Sequence, residues 1–281
     1  MARSLWLGLV ATMEGAQVIY VFELVKPGVW LEGIDDEAVK RDVESLVRLL
    51  ESTLTDAATS LNMFEESRGM LPQSFDRAEW DADRNAEAEI ARRYEAELPP
   101  DLPLPARFAA VDALRDRAKV EVRRARWTSG RLPESYTRRM PFIHAKSCLY
   151  ALDTMGKALK QLARLPSAPA EVMQSYADFG TAFPTLVDVR DSAHHAEDRV
   201  QGKRYKARIN LQPVANSVVH APAGGVLIGD MLNGNSYGST LGDGTYGEVE
   251  ISPSTVAYAR DIVQRVLDAY VWHGPKEHSP S

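Results

Sequence analysis

The sequence predicts a mainly α-helical fold, a helical bundle with a small antiparallel β-meander inserted before its last helix, α+β overall. Three observations carry this. Apolar residues recur at steps of three and four through residues 39–200, the period of one helix face. Gly69, Pro72, Pro99, Pro100, Pro103, Gly130, Pro133 and Pro166 punctuate the periodic stretches. After Gly202 the pattern changes to Gly/Asn turns separated by alternating β-formers.

Taken in order, two apolar runs, Leu5–Val10 and Val18–Val25, read as strands around a turn at Glu14-Gly15, a hairpin-like segment over 1–35 whose strands are placed to join the meander. Leu5–Val10 follows Arg3 but leads into Met13-Glu14-Gly15 without the small-x-small pattern of a cleaved signal. Asp35-Asp36 supplies an N-cap, and Val39, Val43, Leu46, Leu50, Leu54, Ala57, Leu61 and Phe64 form one face of a long helix ending near Gly69 and Pro72. Residues Arg77 to Glu97 read as a polar helix with a thin stripe of Ala82, Ala86, Ile90 and Tyr94. Pro99-Pro100, Pro103 and Pro105 mark a rigid turn. A basic helix runs from Arg107 to Trp127. Another starts at Arg138 and carries Phe142, Ala145, Leu149, Leu152, Met155, Leu159 and Leu162. A helix over Ala170–Phe179 faces inward through Met173, Tyr176 and Phe179, and one unbroken helix spans Thr185–Val200. The bundle thus covers 36–202. In 203–281 a strand begins in Ala223–Ile228, two more follow at Ser236–Leu241 and Thr245–Ile251, and Ser252-Pro253 opens a last helix before a polar tail.

Composition narrows the function classes. Hydrophobic residues at 44% and charged residues at 26% describe ordinary globular chemistry. A net charge of -6 removes bulk attraction to nucleic acid, so any such contact must be local, and the two basic clusters are Arg115–Arg126 and Lys203–Arg208. No run reaches the roughly 18–20 apolar residues of a membrane span. The single cysteine, Cys148, forms no intramolecular disulfide, and the chain reads as cytoplasmic. Neither Cys-x-x-Cys nor His-x-x-x-His spacing occurs, so no metal or other cofactor is expected. Gly224-Gly225 and Gly242-Asp243-Gly244 are turn chemistry without a phosphate-loop lysine, and His144 beside Ser147 and Cys148 reads as core packing.

The sharpest feature is Arg190-Asp191-Ser192-Ala193-His194-His195. In the expected helix Leu186, Val189, Ala193, Ala196 and Val200 face the bundle, with Arg190 on their flank. His194, four residues on, shares its side, whereas His195 is turned by about 140° at 100° per residue. Asp188, Asp191, Asp198 and Arg199 face outward. An imidazole moves protons near neutral pH and a guanidinium clamps phosphate oxygens. The plain alternative is a surface pair at i,i+4 stabilising a helix by a few tenths of a kcal/mol.

Arg190-Asp191-x-x-x-His195 resembles the Arg-polar-x-x-x-His signature of the HEPN superfamily (higher eukaryotes and prokaryotes nucleotide-binding), whose domains are helical bundles. The resemblance implies a metal-independent endoribonuclease, a hydrolase acting on RNA as a homodimer in toxin-antitoxin or phage-defence systems, with an antitoxin or other protein partner. By it Arg190 and His195 are catalytic and Asp191 holds the polar place. His194 competes with His195, and the meander is an addition to the minimal bundle. The rival expectation is a non-catalytic helical interaction protein.

Overall fold

The computed structural model describes residues 9–10, 18–71, 76–166, 168–205 and 207–280. Among them lie eight helices and several short antiparallel strand pairs, the mainly α fold with a small β part that the sequence predicts. The chain divides into two compact units, Met1–Arg68 with Met140–Ser281, and Gly69–Arg139.

In the first unit β1 (Leu9–Val10) pairs with β2 (Ile19–Tyr20), and β3 (Leu24–Lys26) and β4 (Trp30–Glu32) follow. The Glu14-Gly15 turn lies outside the described residues. Helix α1 (Glu37–Gly69) starts where Asp36 Oδ1 accepts from the Ala38 and Val39 amides at 2.8 and 3.2 Å, satisfying donors that a helix start leaves open. Its expected stripe is the observed one: Val43, Leu50, Leu54, Ala57, Leu61 and Phe64 are buried, with Val39 and Leu46 half-buried.

The second unit pairs α2 (Arg77–Ala96) with α3 (Leu104–Thr128). Asp76 caps α2 through the Glu79 amide. The predicted α2 stripe needs correcting: Ala82 is exposed and Asp83 is half-buried, because the facing helix offers arginines rather than apolar side chains.

Helix α4 (Glu134–Leu162) begins four residues before the expected Arg138, its first amides bonding back to the Pro133 carbonyl. It buries Ala145, Leu149, Leu152, Met155, Leu159 and Leu162. Helix α5 (Ala170–Ala182) turns Val172, Ser175 and Phe179 inward, so the expected Met173 and Tyr176 are exposed. The cause is a close helix crossing. A Cβ added to Gly156 of α4 would stand 2.9 Å from the Phe179 ring, which fixes the rotation of α5.

The expected helix over 185–200 is two pieces, α6 (Leu186–His194) and α7 (Ala196–Arg199). Two small hairpins come next, β5 (Lys203–Arg204) with β6 (Ala207–Arg208), and β7 (Val214–Ala215) with β8 (His220–Ala221). The meander is β9 (Met231–Asn233), β10 (Ser236–Thr240) and β11 (Tyr246–Glu250), with β10 central. Its first strand is not Ala223–Ile228. Gly224 and Gly225 adopt φ of 75° and 85°, and Ile228 instead bonds the end of β10, receiving the Thr240 amide at 2.8 Å. Gly244, at φ 92°, cannot carry a side chain, since a Cβ there would collide with the Asn210 carbonyl.

Ser252 caps α8 (Pro253–Ala269), accepting from the Thr255 amide at 3.2 Å, and Val256, Ala259, Ile262, Val263, Val266 and Leu267 are buried. The expected polar tail forms β12 (Val271–His273) and β13 (Glu277–Ser279). These pair with β4 and β3, so those N-terminal strands join the tail and not the meander. Leu24 and Leu31 seal into the core there. Two side-chain amides stand in for missing strand partners: Asn62 brackets Tyr20 at 2.7 and 2.9 Å, and Gln264 brackets Val25 at 2.9 and 2.8 Å. Among the described residues no helix is long and apolar enough to cross a membrane.

Candidate active site

Helix α6 is short and one-sided. Leu186, Val189, Ser192 and Ala193 are buried, and α6 lies against β10 and β11. The Thr185 hydroxyl donates to the Glu248 carbonyl of β11 at 2.7 Å, tying down its start. This anchoring puts Arg190 opposite Asp153 of α4.

Asp153 is 5% exposed, in the middle of the α4 apolar face. Arg190 Nη2 donates to its Oδ1 at 3.3 Å, while Nε lies 3.0 Å from Oδ2 without the alignment of a hydrogen bond. Arg190 Nη1 meets Asp191 Oδ1 at 2.6 Å, and Lys157 Nζ reaches Asp153 Oδ2 at 2.7 Å. The guanidinium side chain is 18% exposed and Asp191 is 44% exposed, so one carboxylate partner is fixed and the other faces solvent.

His195 ends α6 with φ −99° and ψ 46°, outside the helical region. Its amide still donates to the Asp191 carbonyl at 2.9 Å, so the departure from the helix redirects the chain after His195. The His194 and His195 rings meet edge to face, centroids 5.0 Å apart, and both residues are exposed. His195 Nδ1 lies 3.6 Å from Glu197 Oε1, an ion contact too long for a hydrogen bond. The Glu197 carboxyl is held below the ordinary carboxylate range, first by its own backbone amide and then by the two imidazoles. Among the described residues no hydrogen bond, ion pair or ring contact joins Arg190 to either histidine. The structure thus brings Arg190 to Asp191 and His194 to His195.

The break also reverses the faces of the next turn. Ala196 and Val200, expected to face the bundle, are exposed, and Arg199, expected outside, is 4% exposed. Its Nε donates to Ser192 Oγ at 3.2 Å and its Nη1 to the Lys203 carbonyl at 2.7 Å. A buried guanidinium needs such acceptors, because leaving its donors unmet costs more than the bonds contribute. Asp153 and Arg199 are the two residues the motif does not contain. A carboxylate amid Leu152 and Met155 was the available signal for the first, since a buried charge requires a partner.

A groove of about 470 Å³ runs between α1 and α4, near this cluster. Its hydroxyls mostly turn back on their own helices: Ser52 to Leu49, Ser147 to Ile143 and Thr154 to Tyr150. It offers few free donors for a ligand. The Tyr150 hydroxyl at its edge is pushed up by burial, against the opposing pull of Arg190. Cys148 is fully buried and its thiol is pushed up to about 12, so it is no nucleophile. Burial likewise lowers His144.

Comparison of the chain with protein-family models, curated proteins and solved structures finds no match.

Proposed function

We propose that this chain is a cytoplasmic, metal-independent endoribonuclease of the HEPN type, working on RNA as a symmetric homodimer in a toxin-antitoxin or phage-defence setting. One observation carries the reading: two exposed imidazoles 5.0 Å apart end the same short helix that holds a half-fixed guanidinium. Asp153 orients the Arg190 fork, and an incoming phosphodiester displaces the exposed Asp191 carboxylate from Nη1. His195 takes the proton of the ribose 2′-hydroxyl as its oxygen attacks phosphorus. The bond to the 5′ oxygen breaks, and protonated His194 gives that oxygen its proton, leaving a 2′,3′-cyclic phosphate and a 5′-hydroxyl. Arg190 stabilises the charge that builds on phosphorus oxygens. No metal is needed where the nucleophile is internal to the substrate.

The test is cleavage of mixed RNA in excess EDTA. Wild type is expected to cleave, and His195→Ala to lose about 10²-fold or more in rate, as for a general base. Arg190→Ala leaves the buried Asp153 carboxylate with Lys157 as its partner, so its fold must be checked before its activity is read. An inert wild type over a wide enzyme range overturns the reading. The Arg190–Asp153 ion pair also favours a second reading, a non-catalytic interaction protein in which Arg190 only braces α6 against α4. In that case Arg190→Ala lowers stability and neither histidine substitution changes anything.

A further inference from the structure

The hairpin β5–β6 breaks three local rules at Lys203, Tyr205 and Arg208. Arg204 pairs with Ala207, so Tyr205 opens a two-residue connection. There it takes φ 55°, among the described residues the only non-glycine with positive φ. Tight hairpins give that position to Asn or Gly, and a bulky residue in the left-handed region is strained. Lys203 stands directly opposite Arg208, a like-charge cross-strand pair that disfavours pairing. Tyr205 is 78% exposed, a large aromatic ring left in water. Local rules broken together at an ordered place point to a use outside the fold.

The hairpin is nevertheless anchored. The buried Arg199 guanidinium bonds the Lys203 carbonyl and, on its other side, Ser192 between Arg190 and His194. The Ile209 amide donates to the Gly202 carbonyl at 2.8 Å and closes the base. Arg204 lies over Gly242 and beside Asp243, and its guanidinium is 5.7 Å from the Tyr205 ring. Lys203 Nζ touches Gln201 Oε1 at 2.8 Å, and Arg208 is exposed. An exposed ring flanked by cations is the chemistry that holds a nucleic-acid strand whose bases are free to stack.

We propose that this hairpin grips an unpaired stretch of RNA, with Tyr205 stacking on one base and Arg204 and Arg208 holding the phosphates on either side. The choice of RNA rests on the ribonuclease reading above, while the grip itself is tested by binding alone. Arg199 is a positioning residue that sets the grip at a fixed place relative to the histidines.

The experiment is fluorescence anisotropy of a labelled 12-nucleotide 2′-O-methyl oligouridylate, which lacks the attacking hydroxyl, with the full chain in EDTA across a salt series. Tyr205→Gly is the informative variant, because glycine relieves the positive φ while removing the ring. It is expected to unfold at the same temperature as wild type or higher, yet to bind roughly tenfold more weakly. Tyr205→Trp keeps wild-type affinity. Arg204→Ser and Arg208→Ser each lower the slope of log affinity against log salt by about 0.7, one phosphate contact apiece. Undiminished binding by Tyr205→Gly overturns the grip, as does no wild-type binding at about 100 µM. A Tyr205 effect seen with an oligoglutamate peptide but not with oligouridylate overturns it in favour of an acidic protein. Binding through Tyr205 without cleavage of mixed RNA keeps the grip and removes the ribonuclease; cleavage together with undiminished binding by Tyr205→Gly does the reverse.

Discussion

Helix α4 buries Ala145, Leu149, Leu152, Met155, Leu159 and Leu162, whereas α2 buries Ala91 alone and α3 only Ala118 and Val122. The α2–α3 pair is instead laced with charge. Arg126 meets Glu79 and Asp83, Arg131 meets Glu79 at 2.6 Å, and Arg115 meets Glu95 at 3.4 Å. Tyr94 donates to Glu121 beneath the Arg117 guanidinium, 4.3 Å from its ring, and that hydrogen bond raises the Tyr94 hydroxyl above its ordinary range. One unit is held by excluded water and the other by matched signs. Apolar burial is indifferent to salt, while exposed ion pairs are screened by it and contribute about 0–1 kcal/mol each. Of the two helical regions, the α2–α3 pair should therefore be the one that added salt loosens.

The largest expected effect tests the apolar side. Leu152→Ala should destabilise the first unit by about 3 kcal/mol, as cavity-forming substitutions at closed sites do. Chemical denaturation followed by tryptophan fluorescence reads it, and a loss under about 1 kcal/mol would mean that the α4 interface collapses to fill the space. Next comes the charged side. Arg126→Ala should cost the α2–α3 pair about 1 kcal/mol at low salt and nothing measurable at about 1 M. Hydrogen exchange resolved by peptide checks this, with α2 and α3 amides losing protection in salt while α4 and α8 amides keep theirs. Uniform loss in both units would erase the contrast.

The smallest effect probes an ion pair within the apolar unit. Arg265 Nη1 donates to Asp178 Oδ2 at 2.7 Å, joining α8 to α5. This bond, followed by one from Gln174, holds the Asp178 carboxyl below its ordinary 3.8. A depressed carboxylate stabilises the fold above its unfolded value and stops doing so as pH falls through the folded one. The melting-temperature gap between wild type and Asp178→Asn should thus be present near neutral pH and close below pH 3.8. A gap that widens in acid would show that the pair is a strain and not a support.

The same contrast explains what could be read in advance. Helices α1, α4 and α8 were legible because an inward face needs apolar residues every three or four positions, and nothing else accounts for Val43 to Phe64 or Val256 to Leu267. In α2 the inward positions include Asp83, chosen for Arg126, and periodicity counting prefers Ala82. The four motif residues Arg190, Asp191, His194 and His195 were visible as a string. Their arrangement was not, since Ala193-His194-His195-Ala196 contains no helix breaker. The break follows from a tertiary demand, the burial of Arg199 between Ser192 and the Lys203 carbonyl. Asp153 lies far away in sequence, and only the packing of α6 beside α4 identifies it as the partner of Arg190. The terminal ribbon was illegible for another reason: its strands are three residues long, too short for alternation to register.

That ribbon also sets an order of events during synthesis. The Val25 amide waits for Gln264, 239 positions later. At about 5–20 residues per second, a ribosome needs roughly 12–48 s to make the intervening chain. Until then Leu24 and Leu31 have no strand to cover them, and β3 and β4 present open edges of the kind that recruit other chains. Closing so long a loop afterwards costs about 5 kcal/mol of chain entropy, which burial of the α8 face must offset. Through that interval Leu24 and Leu31 are uncovered apolar surface, the kind of surface that leaves an incomplete chain prone to aggregate.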